Sequence, residues 1–322
     1  MSAATPASER QGRETGRQFR LDPVWITFVV LLLIWSYSLI RVGGFRSLNY
    51  NLFTLRVAAF LAIVAAGQTL VVLMGGIDLS VAAVVTMAGV VGGNLITQVG
   101  ETGGILLTLL IAAVVGIANG LGVVLLRLPP LVMTLASLSV IQGGLLVYNA
   151  GKPVSGKSDF LNYWALGNLL GLPTPVWVLA AITVICLVLL HLTAFGRAIY
   201  AIGNNPRAAL LSGVPVGTIQ IATYGLCSVL AAITGLLLLG RTGYSSKTAG
   251  DPYLLMSIAT VVIGGTSILG GRGKFIGTVG GALVLTILVN VLTVENISEA
   301  GRMIIEGALI LILLIAYAYT EQ

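Results

Sequence analysis

Arg56 to Gln98 reads RVAAFLAIVAAGQTLVVLMGGIDLSVAAVVTMAGVVGGNLITQ, two apolar runs on either side of Gly75-Gly76-Ile77-Asp78-Leu79-Ser80. The runs, near 56–74 and 79–98, have the length of membrane-crossing helices, which need about 20 apolar residues. One carboxylate lies between them. A carboxylate near membrane depth is costly and counts as a functional hypothesis. It can instead cap the helix that follows, its charge meeting the positive helix end. Either role makes Asp78 sensitive to replacement.

Outward from this pair the pattern recurs near 24–41, 105–126, 129–148, 175–193, 217–239, 254–269, 275–294 and 302–319. The chain is 57% hydrophobic and only 9% charged. So few charges cannot cover a water-exposed surface, so most of the surface must face lipid. Lipid admits helices or closed barrels, and the alternating ten-residue pattern of a barrel is missing. The expectation is an all-α transmembrane bundle of about ten helices. Its 41 glycines suit close helix packing, as small residues do in membranes. Breaks around 75–80 and 264–275 mark kinked or re-entrant stretches.

Residues 1–23 are expected to form a polar tail and 24–322 a single membrane domain. The first run ends at Arg41-Val42-Gly43-Gly44-Phe45 with no small-residue cleavage pattern, which reads as an uncleaved span. An even number of spans puts both termini on one side, and Arg10, Arg13, Arg17 and Arg20 favour the cytoplasm. Counted over the whole chain, the 17 Lys and Arg divide nine to eight, so the overall charge bias adds nothing to that assignment.

Several chemistries are excluded. Cys186 and Cys227 sit in apolar runs as small hydrophobes, and His191 is the only histidine, so no metal site and no catalytic residues are expected. Arg302 and Glu306, spaced i, i+4, are expected to pair. The net charge of +6 forms no stripe suited to nucleic acid. Gly151-Lys152-Pro153-Val154-Ser155-Gly156-Lys157-Ser158 fits the phosphate-loop string G-x-x-x-x-G-K-[ST]. That chemistry requires a strand before the loop and a helix end after it. Here a membrane-length run precedes the string and a Gly- and Pro-rich loop follows, so nucleotide binding is rejected.

Two further loops carry information. In Phe195 to Pro215, Asn205 is a good N-cap, Pro206 fits the first helical position, and Gly213 and Pro215 stop the element. A helix of about two turns is marginal alone in water, so it packs on its own bundle or docks on a partner. Gly264-Gly265-Thr266-Ser267-Ile268-Leu269-Gly270-Gly271-Arg272-Gly273-Lys274 reads as a tight turn or a hinge. Val71 to Gly76 also echoes Val261 to Gly265, which suggests an internal repeat.

Four stretches together, Gly75 to Ser80, Leu128-Pro129-Pro130-Leu131-Val132-Met133-Thr134-Leu135, Gly196 to Gly213, and Val262 to Ser267 with Gly270-Gly271, resemble the ribose-type branch of ABC importer permeases. The resemblance covers nearly the whole chain after residue 24. It implies a bacterial inner-membrane subunit that works with a second permease subunit, two cytoplasmic ATPases that use the ATP, and a periplasmic sugar-binding protein. It implies no cofactor on this chain. It turns Asn204, Asn205, Pro206, Arg207, Ala208, Ala209, Leu210, Leu211, Ser212 and Gly213 into a coupling helix that docks on the ATPase. Polar residues within spans are candidates for the sugar's path: Gln68, Asn94, Asn119, Thr134, Gln142 and Asn290. Gly75, Gly76, Asp78, Gly264, Gly265 and Thr266 join them as motif positions. The rival reading is an ion-gradient-driven secondary transporter, which would want acidic residues within spans.

Overall fold

The computed structural model describes residues 23–320, with side chains at 309, 310 and 312–320 left aside. The expected tail over 1–23 therefore lies outside the described residues except for Pro23. The chain is helical and crosses back and forth. α1 (Pro23–Arg41), α2 (Leu48–Leu73), α3 (Val81–Val99), α4 (Glu101–Leu125) and α5 (Pro130–Asn149) come first. After β1 (Val154–Ser155), α6 (Asp159–Leu166), β2 (Asn168–Leu169) and β3 (Leu172–Pro173) come α7 (Thr174–Leu192), α8 (Ala194–Asn204), α9 (Pro206–Leu211) and α10 (Val216–Thr242). β4 (Tyr244–Ser245), α11 (Tyr253–Ile263), α12 (Phe275–Val294) and α13 (Glu299–Thr320) complete it. Among the described residues, eight helices are long and apolar enough to cross a membrane.

α2 is the centre. In its apolar window 83% of residues are buried, against 11% in those of α1 and α5. A helix that is apolar all round and wrapped by others is a bundle core; one that is apolar and exposed faces lipid. α10 packs on α2, α3 and α4, and glycines allow that approach. A Cβ at Gly116 would strike Tyr224 O and Ser228 Oγ, and one at Gly120 would strike Ile221 Cα. This i, i+4 pair brings α4 against the α10 backbone, the small-residue packing that membrane helices use. Gly116→Leu is therefore expected to destabilise the protein by about 3 kcal/mol, read as a lower unfolding midpoint in detergent.

α11 differs from its sequence run. The apolar stretch over 254–269 is a helix only to Ile263. At 1.5 Å per residue it is about 16 Å long, half the hydrocarbon thickness of about 30 Å. Its end explains the internal echo. Gly265 N–H donates to Val262 O (2.8 Å) and Thr266 N–H to Val261 O (3.2 Å); at the end of α2, Gly75 donates to Val72 O (2.8 Å) and Gly76 to Val71 O (3.1 Å). Gly75 and Gly265 have φ of +79° and +83°, which L side chains rarely adopt. Both helices thus finish in the same Schellman turn.

The alternation of helices places connections 74–80, 126–129, 193–215 and 264–274 at one end, here the α9 end. The opposite end carries two small antiparallel pairs, β1 with β4 (Val154↔Ser245) and β2 with β3 (Asn168↔Pro173). The phosphate-loop string lies there. Val154 and Ser155 are spent in β1, Gly156 is buried against the Gly93 Cα, and Ser158 Oγ caps α6 by accepting from Leu161 N–H (2.9 Å). Ser158 also donates to Glu101, so no phosphate cradle is left. Arg302 donates to Thr293 Oγ1 (2.7 Å) and, although its charge still acts on Glu306 one turn on, makes no close ion pair with it among the described residues. The i, i+4 spacing permitted that pair, but a nearer hydroxyl takes the guanidinium.

Candidate functional site

All four sequence stretches meet at the α9 end. The site begins with the turn after α2. Once Gly75 has reversed the chain, residues 76–80 run back along the last turns of α2. The Gln68 carboxamide, oriented by its partners, donates to Asp78 O (3.1 Å) and accepts from Asp78 N–H (3.3 Å). Asp78 is fully buried. Its Oδ1 accepts from Ser80 N–H (2.8 Å) and Ser80 Oγ (2.6 Å), and Ser80 Oγ accepts from Asn119 Nδ2 (2.9 Å). Thr134 Oγ1 accepts from Leu79 N–H (3.0 Å) and lies 3.2 Å from Ile77 O.

Asp78 is therefore neither a plain helix cap nor a free intramembrane charge. It closes a two-residue Asx turn just before α3 and ties that turn to α2, α4 and α5. Among nitrogen and oxygen donors its Oδ2 has no partner, nor does Asn119 Oδ1, and the Cys227 thiol approaches the carboxylate as a weak donor. Of the polar span residues, Gln68, Asn119 and Thr134 converge here. The others do not. Asn94 and Gln142 are half-buried on α3 and α5, and Asn290 Nδ2 donates to Thr54 Oγ1 (3.1 Å) on α2.

The second part is the loop over 264–274, which links α11 to α12. Its tip inserts between the end of α2 and α8. Gly271 N–H donates to Leu73 O (2.8 Å), the carbonyl of the last α2 residue. A Cβ at Gly203 would strike Leu73 O and Gly271 N, and one at Gly270 would strike Gly75 and Gly203. Three backbones thus touch directly, with no side chain between them. Tyr200 Oη donates to Gly273 O (2.9 Å) and Asn204 Nδ2 to Gly271 O (3.4 Å). Burial pushes the Tyr200 phenol above its ordinary range, so at neutral pH it stays a donor. Gly264 contacts the Gly277 backbone on α12, and Thr266 is buried under Gly273.

The third part projects. Asn205 Oδ1 accepts from Arg207 N–H (3.1 Å) and Ala208 N–H (3.0 Å), the cap expected from sequence. α9 ends where Gly213 N–H donates to Leu210 O (3.0 Å) and Val214 N–H to Ala209 O (3.1 Å), with Gly213 at φ +82°. Asn204 belongs to the preceding helix: it is the last residue of α8, whereas Ser212 and Gly213 close α9. Only Ala209 of α9 is buried, while Leu210 and Leu211 are 62% and 83% exposed. Beside it, α8, the α9–α10 turn and α10 enclose a groove of about 460 Å³ lined by Phe195, Arg197, Ala201, Val214 and Ile219. Arg127, Arg197, Arg207 and Arg272 are exposed at this end, with no exposed carboxylate among the described residues there. The sequence reading missed α8, which follows α7 without a turn signal beyond the Thr193 cap.

A family model described as branched-chain amino acid transport system, permease component, matches residues 50–314. The ribose import permease protein RbsC of Escherichia coli (strain K12) is 35% identical over 92% of this chain and 95% of its own length. The fructose import permease protein FrcC of Rhizobium meliloti is 32% identical over 90% and 84%. The L-arabinose transport system permease protein AraH of Escherichia coli (strain K12) is 33% identical over 80% and 79%. No solved structure matches the chain.

Proposed function

This multi-pass chain belongs to the family of permease components of branched-chain amino acid transport systems, and from that premise we propose that it is the membrane-spanning subunit of an ATP-driven monosaccharide importer. The permeases similar to it are described as carrying ribose, fructose and arabinose, which narrows the cargo to a small sugar, with ribose the first choice. The observation that carries the coupling is α9. A six-residue helix holds its shape through its cap and one buried alanine, yet presents two exposed leucines to solvent. Such a face suits a partner's groove. The arginines around it make that partner's surface acidic.

The partner is a cytoplasmic ATPase, which binds and hydrolyses the ATP, so this chain needs no cofactor. That places the α9 end and both termini in the cytoplasm of a bacterial inner membrane, and the β end towards a periplasmic sugar-binding protein. A second permease subunit, a copy or a paralogue, completes the pathway. The test is a cross-link. Leu211→Cys in the assembled importer is expected to join the ATPase subunit through a short bifunctional reagent, with a yield that changes on ATP binding. Equal labelling with and without the ATPase, and no cross-link, would overturn the docking.

A further inference from the structure

The chain between α10 and α11 does not stay at the β end. Ser245 packs on Gly89 in the middle of α3, and Gly250 N–H donates to Thr86 Oγ1 (3.0 Å) in the second turn of α3. Gly250 lies so close that a Cβ would strike Ala82 O. α3 itself starts beside Gln68, inside the span of α2, because the Asp78 turn runs back along that helix. Gly250 therefore sits about 15 Å above the α9 end of an α2 that is about 39 Å long. α11 begins near that depth and completes the crossing. Residues 246–252 are thus non-helical backbone that descends along α3 from the β end, where Lys247 lies near Gly151, to the depth of Gly250 at the start of a half-length helix.

Irregular backbone at membrane depth is tolerated only where it is buried in protein or lines a watery cavity. One side of this segment is buried, through Ser245 and Gly250; on the other, Lys247, Thr248 and Asp251 are exposed. Neither Lys247 nor Asp251 forms an ion pair among the described residues. Charges there are expensive against lipid and are kept where they meet water or a ligand. Broken helices of this kind place ligands near the midplane in other transporters, with the half-helix end adding its dipole.

We propose that Ser246 to Asp251 is a station for a neutral polyol on the translocation path. This rests on the importer reading and adds where the sugar is held. Asp251 accepts hydrogen bonds from sugar hydroxyls and Thr248 donates to them, while Lys247, near Gly151, meets the sugar at the β-end mouth of the segment. Arg241 of α10, stacked on Phe60 and close enough for its charge to reach Tyr253, adds a guanidinium donor at the same depth, so that carboxylate, hydroxyl and guanidinium together suit a hydroxyl-rich ligand.

The test uses Thr248→Cys in the complete importer in membranes, where Cys186 and Cys227 are buried and give little background. A charged, membrane-impermeant maleimide is expected to label Thr248→Cys, and the transported sugar among ribose, fructose and arabinose to slow that labelling. Asp251→Asn is expected to raise the apparent KM for uptake about tenfold, because a neutral amide replaces the charge-assisted acceptor and turns one accepting oxygen into a donor. Labelling only by a lipid-soluble maleimide, or by neither reagent, would overturn the station, showing the segment to face lipid or a subunit interface. Labelling indifferent to sugar, with KM unchanged in Asp251→Asn, would overturn it too. A wild-type importer that takes up none of the sugars would count instead against the importer reading, which the accessibility of Thr248→Cys does not depend on.

Discussion

Asp78→Leu is expected to leave little folded protein, with a loss of about 4 kcal/mol, whereas Asp78→Asn is expected to fold and keep most of its transport. The difference lies in Oδ1. That atom takes both the N–H and the hydroxyl of Ser80, whose oxygen in turn takes the Asn119 amide. Leucine strands these donors in a site with no solvent, and each stranded buried donor costs about 1–3 kcal/mol. Asparagine keeps the accepting oxygen, and its amide meets the Cys227 sulfur beside the carboxylate, a weak acceptor. Far-UV circular dichroism and thermal unfolding of the two purified variants check this. If Asp78→Asn unfolds as readily as Asp78→Leu, the turn depends on the charge itself and the account of Oδ1 is wrong.

Gly203→Val is the second large effect. Its side chain would have to occupy the space of Leu73 O and Gly271 N. Backbone cannot rotate away as a side chain can, and close-packed interiors transmit such strain. The expected result is displacement of α8 and loss of ATP-coupled uptake by about tenfold or more, with a stability cost of about 3 kcal/mol. Tyr200→Phe separates the two consequences. It removes only the hydrogen bond to Gly273 O, so the protein should fold normally while sugar moved per ATP falls about fivefold, within the range seen for coupling residues that touch neither ligand. Unchanged sugar per ATP in Tyr200→Phe would show that the contact between α8 and the 264–274 loop does not carry the coupling.

Much of this was legible in the sequence because it is local. The Asn205-Pro206 start of α9 and its Gly213 stop are cap chemistry written within a few residues, and the structure shows the expected bonds. The span pattern was legible for the same reason. The run over 254–269 misled because hydropathy continues through Gly264 and Ser267, whereas the helix ends where Gly265 takes a positive φ. The convergence of Gln68, Asn119 and Thr134 on Asp78 was not legible. Those contacts join four elements, and nothing in a polar residue's own neighbours says which of its faces meets another helix. That is why Asn94, Gln142 and Asn290 looked equivalent to them and lie elsewhere. Ser246 to Asp251 was missed for a related reason: a short polar string between spans reads as surface loop, and its depth comes only from the Gly250 contact with α3.

If the chain moves a sugar by borrowing ATP energy through α9, uptake must depend on the ATPase and its nucleotide. Uptake of labelled ribose, fructose and arabinose into vesicles, with the chain alone and with its ATPase and binding protein, tests this directly. The expected result is uptake only with all components and internal ATP, abolished when Ala209→Pro breaks α9. Uptake by the chain alone, driven by an ion gradient and indifferent to ATP, would contradict it.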